Sequence, residues 1–162
     1  MATSRVDRVA LVRQMLEDET LEKEILSPEL VTNTPWDQAV KRQARTTEEA
    51  QRLTFDVDDF LSDVRINVLE AVEEGDKVVV RWRLRGTWTK PFLRTKPTGQ
   101  EIDITGINIY RFVGDKIVEK TGEFDAATLT AQAGLAAEEC QEAMTALARP
   151  TEVLEPALRG RR

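Results

Sequence analysis

From residue 78 to residue 88 the chain alternates in a way only an extended strand can use. Val78, Val80, Trp82, Leu84, Gly86 and Trp88 fall on one side, and Arg81, Arg83 and Arg85 on the other. One side is apolar and reads as buried; its reverse is basic. The same period recurs in residues 102–113, where Ile102, Ile104, Gly106, Asn108, Tyr110 and Phe112 share a face opposite Ile107 and Ile109. Apolar residues on both sides of that strand imply cover on both, by a core within and a second subunit without.

The neighbours of these strands complete a sheet. Val64, Ile66, Val68 and Ala71 alternate with polar residues, and Glu73-Glu74-Gly75-Asp76 reads as a hairpin turn into the strand that begins at Val78. Residues 90–100 hold two prolines and Gly99, so they read as a long loop. Val113-Gly114-Asp115-Lys116 reads as a tight turn into a last strand, residues 117–124.

The N-terminal third has helical spacing. Val6, Val9, Ala10, Val12 and Leu16 form a stripe with Ser4 as candidate N-cap, and helical pattern continues from Glu19 to Leu26. Ser27-Pro28 and Asn33-Thr34-Pro35 mark a turn-rich connector ending at Trp36. Two more helices are predicted, over residues 37–45 and from a cap at Thr46 through Leu53, Val57, Phe60 and Leu61. Residues 126–148 are alanine-rich and helical, with an interruption near Gly134 and a stop at Pro150. Helices first and an antiparallel sheet afterwards predict an α+β fold. Its expected form is a cone-shaped barrel of curved antiparallel sheet, covered by the N-terminal helices and carrying an added C-terminal helix. Residues 1–150 are expected to form a single domain and residues 151–162 a flexible tail.

Composition removes several kinds of chemistry. There is no histidine, which takes away the commonest general base, the usual zinc ligand and every Ser-His or Cys-His pair. Acid–base work would fall to Asp, Glu, Tyr or Lys. One cysteine, Cys140, rules out an internal disulfide framework, and a net charge of −6 argues against nucleic-acid binding. No apolar run reaches the ~20 residues of a membrane span, and Met1-Ala2-Thr3-Ser4-Arg5 leads into charges rather than a secretory signal, so a cytoplasmic location is expected.

Five segments together resemble a known family. They are Val78-Val79-Val80-Arg81-Trp82-Arg83-Leu84-Arg85-Gly86-Thr87-Trp88, Lys96-Pro97-Thr98-Gly99-Gln100, Gly106-Ile107-Asn108-Ile109-Tyr110-Arg111-Phe112, Gly114-Asp115-Lys116-Ile117-Val118-Glu119, and Phe124-Asp125 with Gln132-Ala133-Gly134. The match, over residues 64–134, resembles the SnoaL-like polyketide cyclases (ester cyclases) of the nuclear-transport-factor-2-like superfamily. The resemblance implies ring closure by intramolecular aldol condensation on a hydrophobic small-molecule substrate, with no metal or organic cofactor. It implies that Asp125, at the end of the last strand, is the acid/base. Trp88 stands where the family's Gly-Thr-His motif has histidine, and Lys120-Thr121 where the family has His-Trp.

The residues themselves leave two roles open for Asp125. In an apolar cavity its carboxylate would have a raised pKa and act as a stronger base. Preceding Ala126-Ala127-Thr128-Leu129, it also suits a helix N-cap, which would lower that pKa. Trp82, Trp88, Tyr110 and Trp36 would supply aromatic walls for a flat ligand, or simply core. Asn108, polar on an apolar face, would orient a carbonyl or bond a neighbouring side chain. Asp56, Asp58, Asp59 and Asp63 read as a solvated face, with Asp59 or Asp63 the candidate second carboxylate of an epoxide-hydrolase-like pair. Arg81, Arg83 and Arg85 are expected to pair with acids on an adjacent strand or a second subunit. The leading expectation is a cofactor-free cyclase or isomerase of secondary metabolism, acting on a hydrophobic polyketide-like or terpenoid-like small molecule, that forms a homodimer and binds neither nucleic acid nor membrane. A non-catalytic binding or dimerisation module on the same fold, and the epoxide hydrolase, are its alternatives.

Overall fold

A computed structural model describes residues 7–18, 21–35, 57–91, 96–135 and 138. Helix α1 (Arg8–Glu17) is followed by a single turn, α2 (Glu22–Ile25), then strand β1 (Leu26–Asn33). A 3-10 turn (Val57–Asp59) leads into β2 (Leu61–Glu74), β3 (Lys77–Trp88), β4 (Glu101–Val113), β5 (Lys116–Phe124) and helix α3 (Ala126–Gln132). The strands form one sheet in the order β1-β5-β4-β3-β2. Neighbours are antiparallel except β1, which runs parallel to β5. The fold is α+β, as the residue pattern predicts, with a mixed rather than purely antiparallel sheet.

The two strands that alternate most clearly, β3 and β4, put the residues of the predicted apolar faces opposite one another. Val80 faces Asn108, Trp82 faces Gly106 and Val78 faces Tyr110, which puts their side chains on one surface. Register shifts in β2 at Ser62/Arg65 and Val68/Glu70, and in β4–β5 at Arg111/Phe112, supply the extra residues that bend a sheet. Asp63 sits within the first shift at φ 55°, a left-handed conformation that Asp tolerates better than most residues.

Three N-terminal expectations change. The cap of α1 is Asp7 rather than Ser4: its carboxylate accepts from the Ala10 N–H at 2.9 Å, and the helix starts one residue later. The connector around Pro28 is strand β1. Proline has no N–H for a sheet ladder, but an edge strand leaves one side unpaired, so Pro28 is tolerated there. Leu61 opens β2 instead of closing a helix. The helix predicted over 37–45 lies outside the described residues, as do Trp36, Cys140 and residues 46–56 of the helix predicted from Thr46; the described end of that second helix is the 3-10 turn Val57–Asp59.

Helix α1 buries Val12 and Met15 against β2 and β3. Its first residue ties the two hairpins together: the Arg8 guanidinium donates to the Gly75 carbonyl at 3.0 Å and the Gly114 carbonyl at 3.2 Å, and lies 5.2 Å from the Phe112 ring centroid. Both turns place glycine at positive φ, 61° and 64°, where other residues are strained. At the opposite end of the sheet, Gln132 of α3 pairs with β4 as a strand would. It accepts from the Asp103 N–H at 2.7 Å and donates to the Asp103 carbonyl at 2.9 Å. Gly134, at φ 64°, follows α3 where an interruption is predicted. No helix among the described residues is long and apolar enough to cross a membrane.

On the outer face the arginine row behaves as predicted. Arg83 grips Asp103 with two bonds of 2.6 and 2.5 Å, Arg85 approaches the same carboxylate at 3.2 Å, and Arg81 approaches Glu70 at 3.9 Å. The hydrogen bonds from Arg83 hold the Asp103 pKa below the ordinary carboxylate value, against the effect of burial. Beside this network Ile107, Ile109 and Val113 remain 49%, 39% and 61% exposed.

Candidate active site

The inner face of β3, β4 and β5 is built in three rows set by register. Val78, Tyr110 and Lys120 form the row nearest the hairpin turns; Val80, Asn108 and Gly122 the middle one; Trp82, Gly106 and Phe124 the row nearest α3. Valines and aromatics at alternate positions bury this face, as a half-covered sheet requires.

Two glycines set its shape. A Cβ on Gly106 would overlap the Trp82 ring and come within 2.7 Å of the Glu123 carbonyl oxygen. A Cβ on Gly122 would overlap the Asn108 carboxamide. The large side chain of each pair therefore lies flat on the neighbouring strand's backbone. Glycine inside a strand signals such close approach, and both were visible in the sequence; which residue fills each space depends on register.

Asn108 and Tyr110 carry the polarity of this face. Asn108 is 7% exposed and its Nδ2 donates to the Tyr110 hydroxyl oxygen at 2.9 Å, the partner a buried amide requires. Tyr110 is fully buried, and burial pushes its phenol pKa up, opposed by the nearby Lys120 charge and the Asn108 bond. It stays a neutral phenol at physiological pH. Because its oxygen accepts from Asn108, its O–H proton is left to donate elsewhere.

The two buried tryptophans differ. Trp88 packs edge-on against Phe60, centroids 5.8 Å apart, and its Nε1–H donates to the Lys90 carbonyl at 2.8 Å, so its polar atom is spent on the fold. The Trp82 Nε1–H is buried with no hydrogen-bond partner among the described residues. An unmet buried donor costs about 1–3 kcal/mol.

Asp125 takes the capping role. One carboxylate oxygen accepts from the Thr128 N–H at 2.9 Å and the other from the Thr128 hydroxyl at 2.6 Å, while the residue is exposed. The Thr128 hydroxyl, then its N–H, hold the Asp125 pKa below the usual aspartate value. This is the opposite of the raised value expected for a carboxylate in an apolar cavity, because the cap supplies donors and solvent reaches the group. The Asp125 N–H itself donates to the Thr105 carbonyl at 3.1 Å, which fixes the cap beside the Trp82–Gly106 row. Asp59 and Asp63 are both exposed, so the expected second carboxylate is not drawn to the inner face. No group of three acidic or cysteine side chains among the described residues is placed to hold a metal ion.

Solved structures share this architecture. AclR from Streptomyces galilaeus is 21% identical, with 94% of this chain and 90% of that chain covered and a TM-score of 0.63. IdmH from Streptomyces antibioticus is 24% identical, covering 80% and 97%, at a TM-score of 0.58. A protein of ketosteroid isomerase-like fold from Catenulispora acidiphila, solved with trimethylamine, is 13% identical, covering 82% and 95%, at 0.54. Among curated proteins no sequence relative was found. The sequence profile of one family spans residues 16–133, from within α1 to the end of α3 and through every strand of the sheet: the chain belongs to the SnoaL-like polyketide cyclase family.

Proposed function

We propose that the protein is a cofactor-free cyclase or isomerase of secondary metabolism, working in the cytoplasm on a hydrophobic polyketide-like small molecule. The observation that carries this reading is the buried Asn108–Tyr110 pair on an otherwise apolar inner face, in a chain of this family. The neutral Tyr110 hydroxyl and the Asn108 carboxamide orient substrate oxygens and stabilise an enolate as it forms. Trp82, Trp88 and Trp36 hold a flat substrate in its folded conformation, so that part of the rate comes from orientation.

Asp125 is the base in this reading, and its lowered pKa narrows the substrate. A weak, fully ionised carboxylate takes a proton efficiently only from an acidic carbon. A carbon between two carbonyls is acidic enough, which favours a β-dicarbonyl polyketide over a terpenoid hydrocarbon. The test is proton exchange in D2O at the central carbon of a naphthyl β-keto ester, followed by NMR near neutral pH. Acceleration over buffer supports the reading, and exchange at the buffer rate contradicts it.

A second reading has its own observation. The exposure of Asp125 and its engagement with Thr128 fit a non-catalytic binding module on the same fold. That module would bind the naphthyl ester without accelerating exchange.

We also propose a homodimer joined through the outer face, where Ile107, Ile109 and Val113 stand exposed in one line on β4. Light scattering at micromolar concentration should give a dimer, and Ile107→Glu combined with Ile109→Glu should give a monomer. A wild-type monomer would end this proposal.

A further inference from the structure

We infer that the Trp82 indole N–H is the hydrogen-bond donor to a carbonyl oxygen of a flat ligand seated over the inner face. The assignment rests on the pocket reading above and adds to it a specific atom and a ligand chemistry. Trp82 is 7% exposed, and its Nε1 is the one buried side-chain nitrogen or oxygen among the described residues without a partner. Indole nitrogen only donates, so what satisfies it must be an acceptor. The other buried indole, Trp88, shows what the fold does with such an N–H: it is given a main-chain carbonyl.

The Trp82 ring is also fixed in place. It lies against the backbone of Gly106, where a β-carbon would overlap it, and between β2 and β5 by register with Val68 and, through Gly106, with Phe124. A ring held this way presents its N–H in one direction, which is what selective recognition of an oxygen needs. Asn108 and Tyr110 occupy the next two inward positions of β4 on the same face, so the donor belongs to one polar line running through the apolar surface. The ligand class that fits is a planar aromatic ketone or ester rather than a hydrocarbon or a cation.

The experiment compares fluorenone with fluorene, flat tricycles that differ chiefly by a carbonyl in place of a methylene. Each is titrated into the full-length protein while the three tryptophan indole N–H resonances are followed by proton–nitrogen NMR. Trp82→Phe identifies the Trp82 signal; if that variant does not fold, Trp88→Phe and Trp36→Phe identify it by elimination. Fluorenone should bind about tenfold more tightly than fluorene. It should also move the Trp82 indole proton downfield, where fluorene does not. In a folded Trp82→Phe protein the two affinities should converge. Equal affinities in the wild type, or a preference for fluorenone that leaves the Trp82 signal in place, would overturn the donor assignment while leaving the pocket standing. Binding of neither compound would overturn the pocket reading and the assignment with it.

Discussion

Asp125→Asn should cut proton exchange at the β-keto ester carbon by roughly 10²–10⁴-fold, the range over which a positioned general base contributes, while leaving the fold almost as stable as before. Asparagine caps a helix about as well as aspartate, so the Thr128 N–H keeps an acceptor. The substitution therefore separates the two roles that one carboxylate plays. Asp125→Ala removes both, and should cost about 1 kcal/mol of stability through the lost cap. If Asp125→Asn exchanges protons at the wild-type rate, the base lies elsewhere and Asp125 is only a cap.

The same carboxylate fixes a pH dependence. Its pKa in the folded chain lies below the ordinary aspartate value of 3.8. A depressed pKa contributes stability above the unfolded value and loses it as pH falls through the folded one. The stability gap between wild type and Asp125→Ala should thus be constant at neutral pH and close only in acid below the unfolded value, in thermal melts across that range. Activity should show no inflection from this group between pH 5 and 8, since it is ionised throughout.

Gly106→Ala should be the most damaging conservative change on the inner face. The added methyl would overlap the Trp82 ring and crowd the Glu123 carbonyl, and backbone cannot swing away as a side chain can. Overpacking of this kind costs about 1–3 kcal/mol, and each kcal/mol lowers the melting temperature of a domain this size by about 2–4 °C. Displacement of Trp82 should change tryptophan emission as well. Gly122→Ala meets only the end of the Asn108 side chain, which can turn, so the expected result is a smaller loss of stability and a broken Asn108–Tyr110 bond. A melting temperature and emission spectrum unchanged in Gly106→Ala would mean that Trp82 does not lie on that strand.

The strands were readable where the two faces differ in chemistry. Val78, Val80 and Trp82 against Arg81, Arg83 and Arg85 leave one orientation available, and β3 takes it. Strand β1 was hidden because Ser27-Pro28 and Asn33-Thr34-Pro35 punctuate it like a loop, and a parallel edge pairing with β5 needs neither alternation nor a complete set of N–H donors. Asp7 takes the cap of α1 although Ser4 suits the position locally as well, and a single sequence offers both residues at helix-start spacing.

The candidate site was readable as a list of residues and not as a set of bonds. Asn108 on an apolar face announced a buried polar group, but its partner at position 110 depends on side-chain geometry along the strand. Trp82 and Trp88 look alike in the sequence, both on the same face of β3. They part only because a loop brings the Lys90 carbonyl to one indole, while the other lies over Gly106. Asp125 offered both of its roles from the start, and Thr128 three residues on was the local sign that the cap would form.

The proposed ligand lies on the inner face of β3, β4 and β5. A crystal structure of the protein grown with the naphthyl β-keto ester tests this placement most directly. The rings should lie against the inner-face side chains, with ester or ketone oxygens toward Trp82, Asn108 and Tyr110. Density for the ester on the outer face, against Ile107 and Ile109, with the inner face closed by side chains, would contradict it.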